Sequence, residues 1–214
     1  LLNTYLLKEV KDILSYKSTH EFEQILKILA LNDTTILNKS NVSNDTGLNI
    51  HKVNEIINVL EKTYVIKKLR PFKDNKIAEL IKSNKIFFMD LGFKNILINN
   101  FNDLDKRHDK GAIFESFIFN ELIKKGQDLR FYNYKNRSEV DFLIRKNEKT
   151  LGLEIKSKLN DLKITRSLLS YIKKYNPNIV YVFNENIYGT KKYEKTKVNF
   201  THYLNYNLLF DEIK

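Results

Sequence analysis

The 214-residue chain contains no cysteine. That excludes a disulfide scaffold, thiol catalysis and Cys-ligated zinc, and it suits a cytoplasmic protein. No apolar run approaches the ~20 residues that cross a bilayer, and none carries signal-peptide flanks, so no membrane association is expected. Proline occurs twice and glycine six times, so domain boundaries have to be read from pattern. None of the glycines stands in a G-x-x-x-x-G-K segment, so the chain has no P-loop and no ATP site of that kind. His20, His51, His108 and His202 lie without metal-ligand spacing. The first residue is Leu1 rather than Met, as in a piece cut from a longer chain.

Positive charge is abundant. Lys and Arg number 37 against 26 Asp and Glu, a net +11 with His neutral. Residues 1–90 carry 14 basic and 11 acidic residues, or +3, and residues 91–214 carry 23 and 15, or +8. The excess sits in the second part, as expected of a polyanion-binding region. At 42% hydrophobic and 29% charged residues, the composition is that of a folded globular chain.

The pattern along the chain predicts two regions. Residues 1–18 read as a helical lead-in. Phe22, Ile25, Leu26, Leu29 and Ala30 have the spacing of an amphipathic helix over Glu21 to Leu31. After a polar stretch with Leu37 and Val42 as its apolar points, Asn49 is placed to cap a helix striped by Val53, Ile56, Ile57 and Leu60. Tyr64–Leu69 and Lys85–Met89 read as two strands about a charged loop. This is the order of a winged helix, predicted over residues 1–93. A linker is expected over 94–110.

From Gly111 the grammar changes to α/β. Ala112–Lys125 reads as a helix closed by Gly126. Strands are predicted over Phe131–Tyr134, Glu139–Arg145, Thr150–Ser157 and Ile179–Phe183. A helix is expected over Asp161–Tyr175, ended by Asn176-Pro177, and a last strand and short helix finish the chain. Together these give one mixed sheet in a domain over 111–214.

A hairpin turning at Asn147-Glu148 pairs Arg145 with Thr150, Asp141 with Glu154 and Glu139 with Lys156. Alternation then gathers Val140, Phe142, Ile144, Leu151, Leu153 and Ile155 on one apolar face. Glu139, Asp141, Arg145, Glu154 and Lys156 take the other. Two carboxylates directly opposed destabilise a sheet unless a cation lies between them. Glu115 adds a third, standing in the apolar stripe of its helix and needing a cationic partner. Three carboxylates suit a hard cation, Mg²⁺ or Mn²⁺, and Lys156 beside them suits a developing phosphate charge.

In this order Glu115, Asp141, Glu154 and Lys156 resemble the signature of the PD-(D/E)XK, restriction-endonuclease-like superfamily. The segments Gly111–Glu115, Asn120–Leu122, Glu139–Phe142 and Glu154–Lys156 resemble the C-terminal domain of prokaryotic AAA+-type ATPases. Leu60–Ile66 and Lys85–Gly92 are similar to the winged helix of that group. The resemblance implies a winged-helix domain followed by a restriction-endonuclease-like α/β domain. It also implies an N-terminal ATPase module, outside this chain, that would bind ATP. Glu115, Asp141 and Glu154 are then the expected metal ligands, with Lys156 beside them as the fourth catalytic residue. The Gln of the superfamily's Gln-x-x-x-Tyr is absent, Ser167 preceding Tyr171 at that spacing.

DNA is the expected partner, with Lys52, Lys67, Lys68, Arg70 and Lys73 as candidate backbone contacts. His51, Asn54, Glu55 and Asn58 complete a candidate recognition face. Phe131, Tyr132 and Tyr134 read as strand-formers rather than a stacking surface. Two functions fit the sequence: metal-dependent DNA cleavage, or a non-catalytic DNA-binding or protein-interaction module regulating the ATPase.

Overall fold

The computed structural model describes residues 19–134, 138–146 and 149–212. The lead-in expected over 1–18 and the turn at Asn147-Glu148 lie outside the described residues. The chain is mixed α/β, with helices first and a six-stranded mixed sheet later. It divides into two compact units. Among the described residues, one comprises 19–68 and 83–102, the other 69–82 and those from 103 onward.

In the first unit, α1 (Thr19–Leu31), α2 (Lys39–Thr46) and α3 (Ile50–Lys62) surround a two-stranded ribbon of β1 (Ile66–Leu69) and β2 (Lys85–Phe88). All five apolar positions predicted for α1 and all four for α3 are buried in one core. Asn49 caps α3 as expected, its side chain accepting from the His51 N–H at 2.7 Å. The polar stretch between them closes into α2 because the Asn38 side chain accepts from Asn41 N and Gly47 takes φ +68° at the other end.

Of the residues expected as a linker, 94–97 lie in α5 (Leu91–Leu97), which buries Leu97 and Lys94 in the first unit. The Lys94 ammonium lies 3.3 Å from Asp33 Oδ2, and Asp33 Oδ1 accepts from Phe88 N at 2.9 Å. This buried pair fastens α5 to β2. Breaking one partner of such a pair typically costs ~3–5 kcal/mol.

In the second unit, α6 (Lys110–Lys124) precedes β3 (Leu129–Tyr134), β4 (Ser138–Lys146) and β5 (Lys149–Ile155). Then come α7 (Arg166–Tyr175), β6 (Ile179–Asn184), the hairpin β7 (Gly189–Tyr193) and β8 (Thr196–His202), and α8 (Leu208–Glu212). The sheet order is β3-β4-β5-β6-β8-β7. Strands β5, β6 and β8 run parallel, and the other neighbours are antiparallel. One strand more than expected follows β6, because the short Gly189–Tyr193 run is fully polar on its exposed edge.

The predicted β4–β5 register is observed from Phe142↔Leu153 to Lys146↔Lys149. The predicted apolar face is not. Between β3 and β4 the pairing steps from Arg130↔Leu143 to Tyr132↔Val140, so β4 spends three residues on two of β3. This bulge at Asp141–Phe142 moves Val140 to the face of Leu143, Tyr171 and Ile172. Phe142 stays on the opposite face against Phe119 of α6, ring centroids 6.1 Å apart. The sheet is therefore covered by α7 on one side and α6 on the other. Gly152 makes room for α7, since a Cβ there would stand 2.7 Å from Tyr171 Cε1.

Residues 69–82, read in the sequence as a loop within the first region, pack on the second unit. Phe72 N donates to Phe131 O at 2.6 Å and Phe131 N to Arg70 O at 3.0 Å, a parallel bridge along the outer side of β3. Asp74 pairs with Lys174 and Tyr175. Helix α4 (Lys76–Ile81) buries Glu79 in an ion pair with Arg130. The segment thus straps an edge that would otherwise offer unpaired backbone groups to other strands. A fragment spanning 103–214 is expected to self-associate in light scattering at concentrations where the whole chain does not. Fusing 69–82 ahead of it through a flexible linker restores a dispersed protein with a cooperative urea transition.

Candidate functional site

Glu154 lies on β5, paired on one side with β4 and on the other with β6. Its residue is 1% exposed. Both carboxylate oxygens are engaged, Oε1 with the Lys156 ammonium at 2.8 Å and Oε2 with the Thr165 hydroxyl at 2.6 Å. Thr165 is also the N-cap of α7, its Oγ1 accepting from Leu168 N at 3.2 Å. One hydroxyl therefore ends the helix and fixes the acid. Sequence reasoning missed it because the expected helix started at Asp161. The readable signal was Thr165-Arg166-Ser167-Leu168, a capping residue just before an apolar stripe.

Asp141 reaches the same place differently. The β4–β5 ladder stops one residue short of it, and its Oδ2 accepts from Ile155 N at 2.7 Å. Lys156 N donates to Phe183 O on the β6 side, so the Ile155 N–H points toward β4. The carboxylate thus stands in for a strand carbonyl, between the strands rather than on a face. The bulge supplies this position.

Glu115, half-buried on α6, comes from the opposite layer. Its charge meets the other two at Lys156, beyond the last residue of β5. Burial alone would depress the Lys156 ammonium, but Glu154, Asp141 and Glu115 outweigh it and hold its pKa above the ordinary lysine value. Burial, reinforced by the charge of Asp141, holds the Glu154 carboxyl above its ordinary range, with Lys156 and Thr165 opposing. The three predicted acids thus act electrostatically on the ammonium of the fourth residue, Lys156. They are not drawn into a ligand cage: among the described residues no three His, Asp or Glu side chains stand close enough together to hold a metal ion.

The row continues along the sheet. Lys110, at the start of α6, bridges Asp105 at 2.6 Å and Glu185, just past β6, at 2.8 Å. Neither the Lys110–Glu185 pair nor the buried Asn184 before it was anticipated, since the partners lie 75 residues apart in sequence.

The basic residues proposed for DNA do not form one patch on one unit. Lys52, Lys67 and Lys68 belong to the first, Arg70 and Lys73 to the second. Lys52 pairs with Glu55 at 2.9 Å, and Lys68 bonds Asn58 Oδ1 at 2.8 Å and Glu61 Oε2 at 2.9 Å. Lys73 donates to Asn133 O at 3.1 Å. The Asn54 side chain donates to Ile50 O on its own helix, so the candidate recognition face is largely satisfied from within. Phe131 and Tyr132 are buried core residues, as their strand-forming character implied.

Two family models match the chain. Residues 1–104 match a domain of unknown function (DUF8612), and residues 110–203 match a second domain of unknown function (DUF4143). An uncharacterized protein of Haemophilus influenzae is 22% identical over 164 residues, covering 72% of this chain. The matched stretch is 38% of that protein's length, so the chain spans well under half of its relative. No helix among the described residues is long and apolar enough to cross a membrane.

Two outcomes follow from the Glu154 geometry. Replacing Thr165 by Ala removes the α7 cap and an acid's hydrogen-bond donor, and lowers the unfolding free energy in urea by ~1–3 kcal/mol, whereas Ser stays near wild type. The second concerns pH. With its folded pKa raised, Glu154 binds its proton more readily in the folded state. Its contribution therefore favours folding at low pH and is lost as pH rises from the ordinary carboxylate range through the raised value. Glu154→Gln accordingly gains stability relative to wild type as pH rises above the ordinary carboxylate range, read from urea midpoints.

Proposed function

We propose that the second unit is a phosphodiester-cleaving, endonuclease-like module of the PD-(D/E)XK type, acting on DNA with Mg²⁺ or Mn²⁺. The observation that carries this reading is the Lys156–Glu154 pair at 2.8 Å with the Asp141 carboxylate on the adjoining Ile155 N–H at 2.7 Å. The donor chemistry fits a hard divalent cation, since all three groups offer carboxylate oxygens. Glu115, Asp141 and Glu154 would have to draw closer than they stand here to hold such an ion, which would then lower the pKa of a bound water and neutralise phosphate charge. Lys156 presents its ammonium to the oxyanion that grows on the attacked phosphate. Glu154 and Asp141 keep that ammonium charged and placed, and Thr165 keeps Glu154 from swinging. The first unit, with its helix order and ribbon, serves in this reading as a winged helix. The greater length of the Haemophilus relative leaves room for the N-terminal ATPase module that the sequence resemblance implies.

One observation favours a second reading. Both Glu154 oxygens are already satisfied by Lys156 and Thr165, as in a site kept for structure. The unit would then bind DNA or a protein and regulate the ATPase without cutting. Supercoiled plasmid and branched DNA, incubated with Mg²⁺ or Mn²⁺, separate the two. On the first reading wild type nicks, and Asp141→Ala and Lys156→Ala each lose about 100-fold or more of the rate. Metal-dependent cleavage that survives both substitutions, or wild-type binding with no cleavage, rejects it.

A further inference from the structure

Lys156, Asn184 and His202 lie in one row across the ends of three parallel strands. Ile155 pairs with Phe183 and Phe183 with Thr201, and Asn184 pairs with His202 one step further. Next to this row four aromatic rings stack outward from the core. Buried Phe114 meets Tyr203 with centroids 4.4 Å apart, and Tyr203 meets His202 at 4.2 Å. The outermost step, His202 to Tyr188, is wider at 6.5 Å, yet its rings are within 9° of parallel. The centroid distance caps the gap between the planes at 6.5 Å, a little under the ~7 Å that two successive ring contacts need, so the outer ring must shift slightly outward to admit a planar group.

Tyr188 is 62% exposed, and a single exposed aromatic would call for no explanation. The backbone leading to this one is held in place. Asn184, wholly buried, accepts from Asn186 N at 3.0 Å and Ile187 N at 2.6 Å, and donates to Ile187 O at 2.9 Å. The Asn186 side chain grips both backbone groups of Leu159 in the next loop. On the other wall, His202 Nδ1 accepts from Leu204 N at 3.2 Å, which sets the imidazole plane. The His202 wall is therefore preorganised and the backbone leading to Tyr188 is fixed, which leaves the Tyr188 ring to be ordered when a ligand arrives.

We propose that Tyr188 and His202 form a slot that accepts one unpaired base of a nucleic-acid strand. The base rests on the ring geometry alone; the strand rests on the phosphodiester reading above. Two strand spacings separate Lys156 from His202, roughly 10 Å, about three nucleotides at the ~3.4 Å rise of stacked DNA. A duplex keeps its bases stacked inside, so the slot selects single-stranded or frayed substrates.

The test is fluorescence anisotropy of the whole chain with labelled dT12 and with a hairpin duplex of equal length, in EDTA so that cleavage plays no part. Tyr188→Ala weakens dT12 binding by about 5- to 150-fold, the usual worth of one stacked base, and changes duplex binding less than twofold. Tyr188→Phe stays within twofold of wild type on both, because the ring and not the hydroxyl makes the contact. Lys156→Ala keeps the Tyr188-dependent difference, so loss of the cleavage reading leaves this result intact. The slot is rejected if wild type does not bind dT12, or if Tyr188→Ala binds it like wild type. It is also rejected if the variant loses strand and duplex equally. Displacement of dT12 by free dAMP at equal base concentration rejects the strand assignment.

Discussion

A carboxylate sealed inside a sheet has to be answered by neighbours, and the second unit is arranged around that requirement at Glu154. Its two oxygens draw in the residue two positions on and the cap of the next helix. One acid therefore joins β5, the chain beyond it and α7. Burial makes the ionised form expensive there, Asp141 adds to that cost, and the Lys156 ammonium, itself kept charged by Glu154, Asp141 and Glu115, offsets part of it. Removing any of these groups changes the electrostatic footing of the others.

The bulge in β4 makes the convergence possible. In an unbroken strand Asp141 would stand on a face, directly across from Glu154, where like charges repel. The extra residue puts it between the strands, with the Ile155 N–H as its partner. An irregularity in pairing thus turns a repulsive pair into two separately satisfied acids that share one cation.

Much of this was legible in the sequence. The helices α1, α3 and α6 followed from apolar spacing, and the hairpin register followed from alternation and turn position, because both depend on residues close in sequence. The bulge was not legible, since it arises from the pairing of β4 with β3 rather than with β5. Nor was the strap. Pro71-Phe72-Lys73-Asp74 reads as a loop, and its partners Phe131, Asn133 and Lys174 are 60 to 100 residues away. Of the four site residues, Glu154 and Lys156 pair directly and Asp141 reaches the adjoining Ile155 N–H, contacts that lie on one hairpin and were within reach of its alternation. The basic residues were drawn as sequence neighbours, and the chain changes units between Lys68 and Leu69.

The path of the chain carries a consequence for how this molecule can be divided. The polypeptide passes from one unit to the other after Lys68, back after Lys82, and across again after Asn102. A single protease cut at the last crossing would leave the two bodies joined through the others. A genetic exchange made at the boundary between the two matched regions, near residues 104 to 110, would separate the β3 edge from the residues that evolved to cover it. The two halves are consecutive as sequence but interleaved as folds, so they are inherited together or each arrives incomplete.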